Sequence, residues 1–170
     1  MSAETFGATI EAYYHPKKFN ECLGMEEIVN GVTIGQQSRT GFGFHYKTKI
    51  GNDEKGDSFG YKIHLVWGCM ASPSEQAYQT INDNPDAASF SWEVSTTPVT
   101  LDSGKKTASM VIDSTEFTSD EAKAALAALE EVLYGTDGVG STGGTSPYMP
   151  TPDKVLELLG YTTPESPSGI

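Results

Sequence analysis

The chain has 170 residues and a formal net charge of -12, from 23 acids against 11 basic residues. That length suits one domain of ordinary size with a tail, able to bury a core without disulfide or metal staples. The charge excludes nucleic-acid binding as the main activity, because gripping phosphate takes clustered Lys and Arg. No run approaches the roughly 20 apolar residues of a membrane span, so no membrane insertion is expected. The start, Met1-Ser2-Ala3-Glu4, shows no basic stretch leading into an apolar one, and no signal peptide is expected. Two cysteines, Cys22 and Cys69, make no disulfide framework, and the chain reads as a cytosolic product.

Acid is spread unevenly. Residues 1–39, 68–116 and 117–170 carry net -2, -5 and -6, whereas residues 40–67 carry +1. The N-terminal part offers weak strand candidates at Thr9–Tyr14 and Gly31–Gln37. The clearest signal is Thr40 to Trp67. Phe42, Phe44, Tyr46, Thr48 and Ile50 alternate with Gly41, Gly43, His45, Lys47 and Lys49. Phe59, Tyr61, Ile63, Leu65 and Trp67 then alternate with Gly60, Lys62, His64 and Val66. Period two gives each strand an apolar and a mostly polar face. The segment between, residues 51–57, is rich in turn residues and acids and predicts a long hairpin with a protruding acidic loop.

Asn82–Asp86 is a dense turn cluster. A second strand pair is expected after it. Phe90, Trp92 and Val94 alternate in one run, and Ala108, Met110 and Ile112 in another, with a turn at residues 101–105. Thr118 with Glu121 reads as a capping box opening a helix from near Ser119 to Tyr134. Ala122, Ala125, Leu126, Leu129, Val132 and Leu133 fall on one stripe, and Gly135 stands at the expected stop. Residues 135–146 turn to Gly, Ser and Thr and read as a linker or arm. Thr151-Pro152-Asp153 opens a short helical turn near 152–159, ended by Gly160. The last ten residues read as disordered. The expected organisation is a β-rich domain over 1–135 and a linker with C-terminal extension over 136–170.

Chemistry is sparse. His45 and His64 lie on the polar faces of two pairing strands, where proximity is conceivable, yet no zinc-binding spacing accompanies them. A polar strand face is the preferred reading, with no metal. Cys69 has no base beside it, and His64 is five residues back along a strand, so both cysteines read as small buried hydrophobes. Residues 138–144 lack the Lys-Ser/Thr ending of a phosphate loop. No catalytic residue, cofactor site or metal ligand is assigned, and no enzyme is expected.

Three stretches together carry a resemblance: residues 12–24 (AYYHPKKFNECLG), 59–75 (FGYKIHLVWGCMASPSE) and 81–98 (INDNPDAASFSWEVSTTP). With the order of elements, they resemble the major tail tube protein of long, non-contractile-tailed bacteriophages, over roughly residues 5–135. The resemblance implies a mainly β (α+β) fold, a β-sandwich with long hairpins, one flanking helix and a C-terminal arm. It implies hexameric rings stacked into a hollow virion tail tube, made in the bacterial cytoplasm, through which DNA passes without specific binding. Partners would be further copies of the chain and the tape measure, tail terminator and distal tail proteins. On this reading the apolar strand faces pack inward and the polar faces line the lumen. Lys47, Lys49, Lys62, Glu93 and Asp113 are then the lumen-facing candidates. Asp53, Glu54 and Asp57 are the candidates for contact between rings. The arm docks on a neighbour, folds back on its own helix or dangles, and its deletion is expected to leave the monomer folded. The alternatives are a monomeric β-sandwich binding module, with Trp67 and Trp92 as stacking residues, or a related tail terminator or distal ring protein.

Overall fold

The computed structural model describes residues 6–53, 56–72, 89–138 and 143–161, with backbone alone at 52 and 56–58. The Asn82–Asp86 turn, Glu54 and residues 162–170 lie outside the described residues. The fold is mainly β, with antiparallel strands and few helices. In chain order the strands are β1 (Gly7–Ala12), β2 (Glu26–Val29), β3 (Val32–Ile34), β4 (Phe42–Asn52), β5 (Gly56–Ala71), β6 (Phe90–Thr96), β7 (Val99–Thr100), β8 (Lys106–Thr107) and β9 (Ser109–Asp113). The helices α1 (Asp120–Tyr134) and α2 (Pro152–Leu158) follow. The chain forms two compact units: Met1–Phe42 with Trp67–Pro98, and Gly43–Val66 with Val99–Ile170.

In the first unit, β6 pairs antiparallel with β1 from Gly7↔Ser95 to Ala12↔Phe90. It also pairs with the end of β5, from Cys69↔Thr96 to Ala71↔Val94. Trp92, Val94 and Thr96 are buried while Ser91, Glu93 and Ser95 are exposed, the alternation of a half-buried strand. Rings build the buried side. Phe19, on a 3-10 turn over Lys17–Leu23, meets Trp92 at 5.4 Å and Phe42 at 5.1 Å, and His15 stands edge-on to Trp92 at 5.5 Å. Edge-to-face contacts place the positive ring edge on the negative ring face. Gly68 turns β5 with φ +65, and a Cβ there would lie 2.0 Å from the Thr97 carbonyl oxygen. Only glycine accepts both that backbone and that approach.

In the second unit, β5 pairs with β9 from Lys62↔Asp113 to Val66↔Ser109, and β4 is its neighbour in the sheet. Ser119 caps α1, its hydroxyl accepting the Ala122 N–H at 3.1 Å. The cap therefore falls one residue after the Thr118 expected, because Ser119 has the extended backbone (ψ 159) that the cap requires. Leu126, Leu129 and Leu133 are buried on one stripe, as are Ile63 and Leu65 of β5. Thr151 caps α2 with Pro152 at its first turn, and Gly160 ends it at φ +83.

Two expectations are corrected. β6 and β9 do not pair as a hairpin: each pairs with β5, at residues 69–71 and 62–66 respectively. The turn at 101–105 is real but closes the short β7–β8 pair, Val99↔Thr107 and Thr100↔Lys106. A 16-residue β5 offers enough ladder for two partners, and that long-range pairing outweighs the local one. The arm, in turn, folds back on its own helix. Tyr148 N–H donates to the Val132 carbonyl at 3.0 Å, Thr136 and Thr145 bridge, α2 packs on α1, and Val155 is fully buried.

Candidate functional site

The polar residues of β4 point where the apolar ones were expected. Lys47 donates to Glu130 of α1 at 2.7 Å, and its ammonium lies 4.1 Å from the centre of the Tyr61 ring and 5.2 Å from that of Tyr134. His45 stands edge-on to Tyr134 at 5.1 Å. The odd-numbered face of β4 thus meets the helix, and the expectation that Lys47 faces away from the packed side is overturned. The cause is compensation: one carboxylate and two ring faces satisfy the ammonium while its methylene stem packs.

Burial sets the acid–base behaviour of this cluster. Tyr61 is pushed up to about 12, first by burial and then by its hydrogen bond to the Glu130 carboxylate. Burial pulls the His45 imidazole below its usual range, against an opposing hydrogen bond to the Leu133 backbone. Its Nδ1 is buried without a hydrogen-bond partner among the described residues.

The other face of the same sheet is open. Tyr46 stacks on His64 with centroids 4.5 Å apart and rings within 2° of parallel, and Thr48 Oγ1 lies 2.9 Å from His64 Nε2. Lys62 pairs with Asp113 across the ladder at 3.3 Å. Thr115 hydrogen bonds hold the Asp113 carboxyl below its usual range, with Lys62 adding to that. His45 and His64 are therefore not neighbours but lie on opposite faces. In the first unit, the open face presents Thr9, Glu11, Ser91, Glu93 and Ser95, with two carboxylates and no base.

Of the loop acids, Asp53 is exposed, Asp57 is described only as backbone within β5, and Glu54 lies outside the described residues. Cys69 is fully buried, and burial pushes its thiol up to about 11, the opposite of an activated nucleophile. Cys22 is buried and raised likewise. Among the described residues, no three His, Cys, Asp or Glu side chains are grouped to hold a metal ion, and no helix is long and apolar enough to cross a membrane. Trp67 and Trp92 are buried, so neither presents a stacking platform.

One surface was not anticipated. In the β2–β3 hairpin, Ile28, Val29, Val32 and Ile34 are 57%, 58%, 52% and 38% exposed. Their hairpin carries a signal in the sequence, Asn30-Gly31 between two aliphatic pairs, with Gly31 at φ +84. Its stem is anchored rather than loose. Gln37 N–H donates to the Gly24 carbonyl at 2.9 Å, Lys17 pairs with Glu27 at 2.5 Å, and the Arg39 guanidinium donates to the Ala71 carbonyl. Compared with protein-family models, curated proteins and solved structures, the chain finds no match.

Proposed function

We propose that the chain is a structural subunit that polymerises as stacked hexameric rings into a bacteriophage tail tube, the conduit for DNA ejection. The observation that carries this reading is the β2–β3 hairpin. Four large aliphatic side chains on one anchored two-stranded ribbon are left in water. Exposed aliphatic side chains grouped on one short ribbon are the kind of surface a protein contact covers. In a chain without an activated nucleophile or a grouped metal-ligand set among the described residues, assembly is the use that best fits it.

The open sheet faces suit a conduit. If they line the lumen, the first unit contributes Glu11 and Glu93, and in the second Lys62 is offset by Asp113. Lys47 is occupied by Glu130, and Lys49 lies on the same odd-numbered face of β4 beside α1, so neither adds positive charge to such a lining. A lining of this charge repels phosphate and lets DNA slide. On this reading the protein acts in the virion tail, beside tape measure, terminator and distal tail proteins. The buried tryptophans weigh against the binding module.

The test is negative-stain electron microscopy of the concentrated protein, with light scattering on the same sample. Hollow tubes or six-fold rings are the expected result. Ile28→Ser with Val32→Ser should leave circular dichroism unchanged and abolish the large species. Compact monomers at every concentration, even with tail initiator complexes added, would overturn the reading. Closed rings that never stack would favour the terminator or distal ring protein.

A further inference from the structure

The turn of the β2–β3 hairpin holds the one Asn-Gly step in the sequence, Asn30-Gly31. Both residues are exposed. Gly31 sits at φ +84, and nothing lies within 4 Å of where a Cβ would stand, so no neighbour shields its backbone nitrogen on that side. That nitrogen already has a proton acceptor. Its N–H donates to the Glu27 carboxylate at 3.0 Å, within the reach a general base needs. Lys17 holds the same carboxylate oxygen at 2.5 Å. These two hydrogen bonds, that from Lys17 first, keep the Glu27 carboxyl below its usual range. Glu27 is therefore an ionised acceptor at neutral pH. The sequence has one Asp-Gly step of related chemistry, Asp137-Gly138, and it is shielded: a Cβ on Gly144 would lie 2.8 Å from the Gly138 nitrogen, so backbone packs against it.

We propose that Asn30 is a self-modifying site, at which the Gly31 backbone nitrogen attacks the Asn30 side-chain carbonyl carbon with Glu27 as general base. The bond from Gly31 N to Asn30 Cγ forms, and the bond from Cγ to Nδ2 breaks. The proton passes from Gly31 N to Glu27 and departs with the side-chain nitrogen as ammonia. Water then opens the cyclic imide at either carbonyl, leaving aspartate or isoaspartate. Nothing is oxidised or reduced. Glycine matters twice: it accepts the positive φ of the turn, and it brings no Cβ to crowd the attacking nitrogen. The product places a new carboxylate in the turn that joins Val29 to Val32, both exposed, and near the charge of Glu27. A charge there must be desolvated when the ribbon is covered. A subunit left unassembled therefore loses its contact with age. This consequence rests on the assembly reading, whereas the chemistry does not.

Peptide mass spectrometry of the full-length protein, incubated at physiological temperature and sampled over days, tests it. The wild type is expected to gain the mass difference between Asn and Asp at Asn30, with part of the product as isoaspartate. Glu27→Gln keeps an oxygen to accept the Gly31 N–H but cannot take the proton, and should slow the change about tenfold. A pH profile separates a base from a mere prop. Between about pH 6 and about pH 8 the wild-type rate should stay nearly flat, whereas the Glu27→Gln rate should climb with hydroxide. The wild-type profile carries the decision by itself if Glu27→Gln misfolds by circular dichroism. An Asn30 that stays unmodified, a Glu27→Gln rate equal to wild type, or a wild-type rate that climbs with pH would overturn the proposal. Electron microscopy of fresh wild type, aged wild type and Asn30→Asp reads the consequence. Tubes from fresh wild type alone would support it. Tubes undiminished in Asn30→Asp would overturn the consequence and leave the assembly reading standing. A wild type that modifies Asn30 but never assembles, even when fresh, would overturn the assembly reading and leave the chemistry standing.

Discussion

Lys47 and Glu130 join β4 to α1 at 2.7 Å, with the Lys47 ammonium over the Tyr61 ring. Both charges are partly exposed, so the pair itself contributes only about 1 kcal/mol or less. Its stronger signature is acid–base. Glu130→Gln removes the negative charge beside Tyr61, and the phenol should then ionise at lower pH than the value near 12 it now has. The fall should be partial, because burial is the larger cause and remains. Ultraviolet titration of tyrosinate reads this directly, and no change would mean that the carboxylate does not face the ring.

His45 predicts a pH dependence of stability. Its folded pKa is lowered from 6.5 by burial, so the unfolded chain takes the proton first as pH falls. Stability is therefore fully present above about 6.5 and is lost as pH drops below that towards the folded value. The groups facing His45 are Tyr134 and the Leu133 backbone, with Lys47, Glu130 and Tyr61 in the adjoining cluster. His45→Phe keeps an edge-on ring contact and should flatten thermal melts between about pH 7.5 and pH 5.5. Glu27 and Asp113 act in a lower window, since their pKa values are already depressed below 4.5 and 3.8. A wild type with equal melting temperature at both pH values would contradict this assignment.

Gly68→Ala should destabilise the first unit by about 2 kcal/mol or more, because it combines a positive φ with a Cβ against the Thr97 carbonyl. The readout is a loss of melting temperature or denaturant midpoint. A variant as stable as wild type would mean that the backbone at Gly68 and Thr97 is not so placed.

The arm should be needed for stability. Val155 is fully buried, Pro150 and Pro152 are buried, and Asp153 accepts the Asp102 N–H at 3.0 Å. Val155→Ala should cost about 2 kcal/mol. Deleting residues 136–170 should lower the melting temperature well beyond that, contrary to the expectation that the monomer tolerates the loss. Equal melting curves for the truncated and intact chains would restore the view of a dispensable tail.

Elements governed by neighbours in the chain were legible without coordinates. The α1 stripe, Gly135, the Thr151-Pro152 start and the Gly104 turn each rest on a backbone preference acting over a few residues. The 3-residue β3 lies inside the weak candidate Gly31–Gln37, whereas the 4-residue β2 escaped notice because so short a run carries almost no periodic signal, although Asn30-Gly31 marked the turn between them. The site was less legible. Alternation in β4 separated Lys47 from Tyr46 correctly but did not say which of the two faces α1.

Charge, composition and local turn chemistry are properties of short stretches, and they settled that this is an acidic, mainly β chain with capped helices at its end. Which partner β6 takes, which side of β4 is covered, and whether the arm packs all depend on residues far apart in the chain. A strand buries whichever face finds compensation, and the compensation for Lys47 comes from Glu130, 83 positions away. The same holds for Val155, which becomes core only because α1 lies beside it.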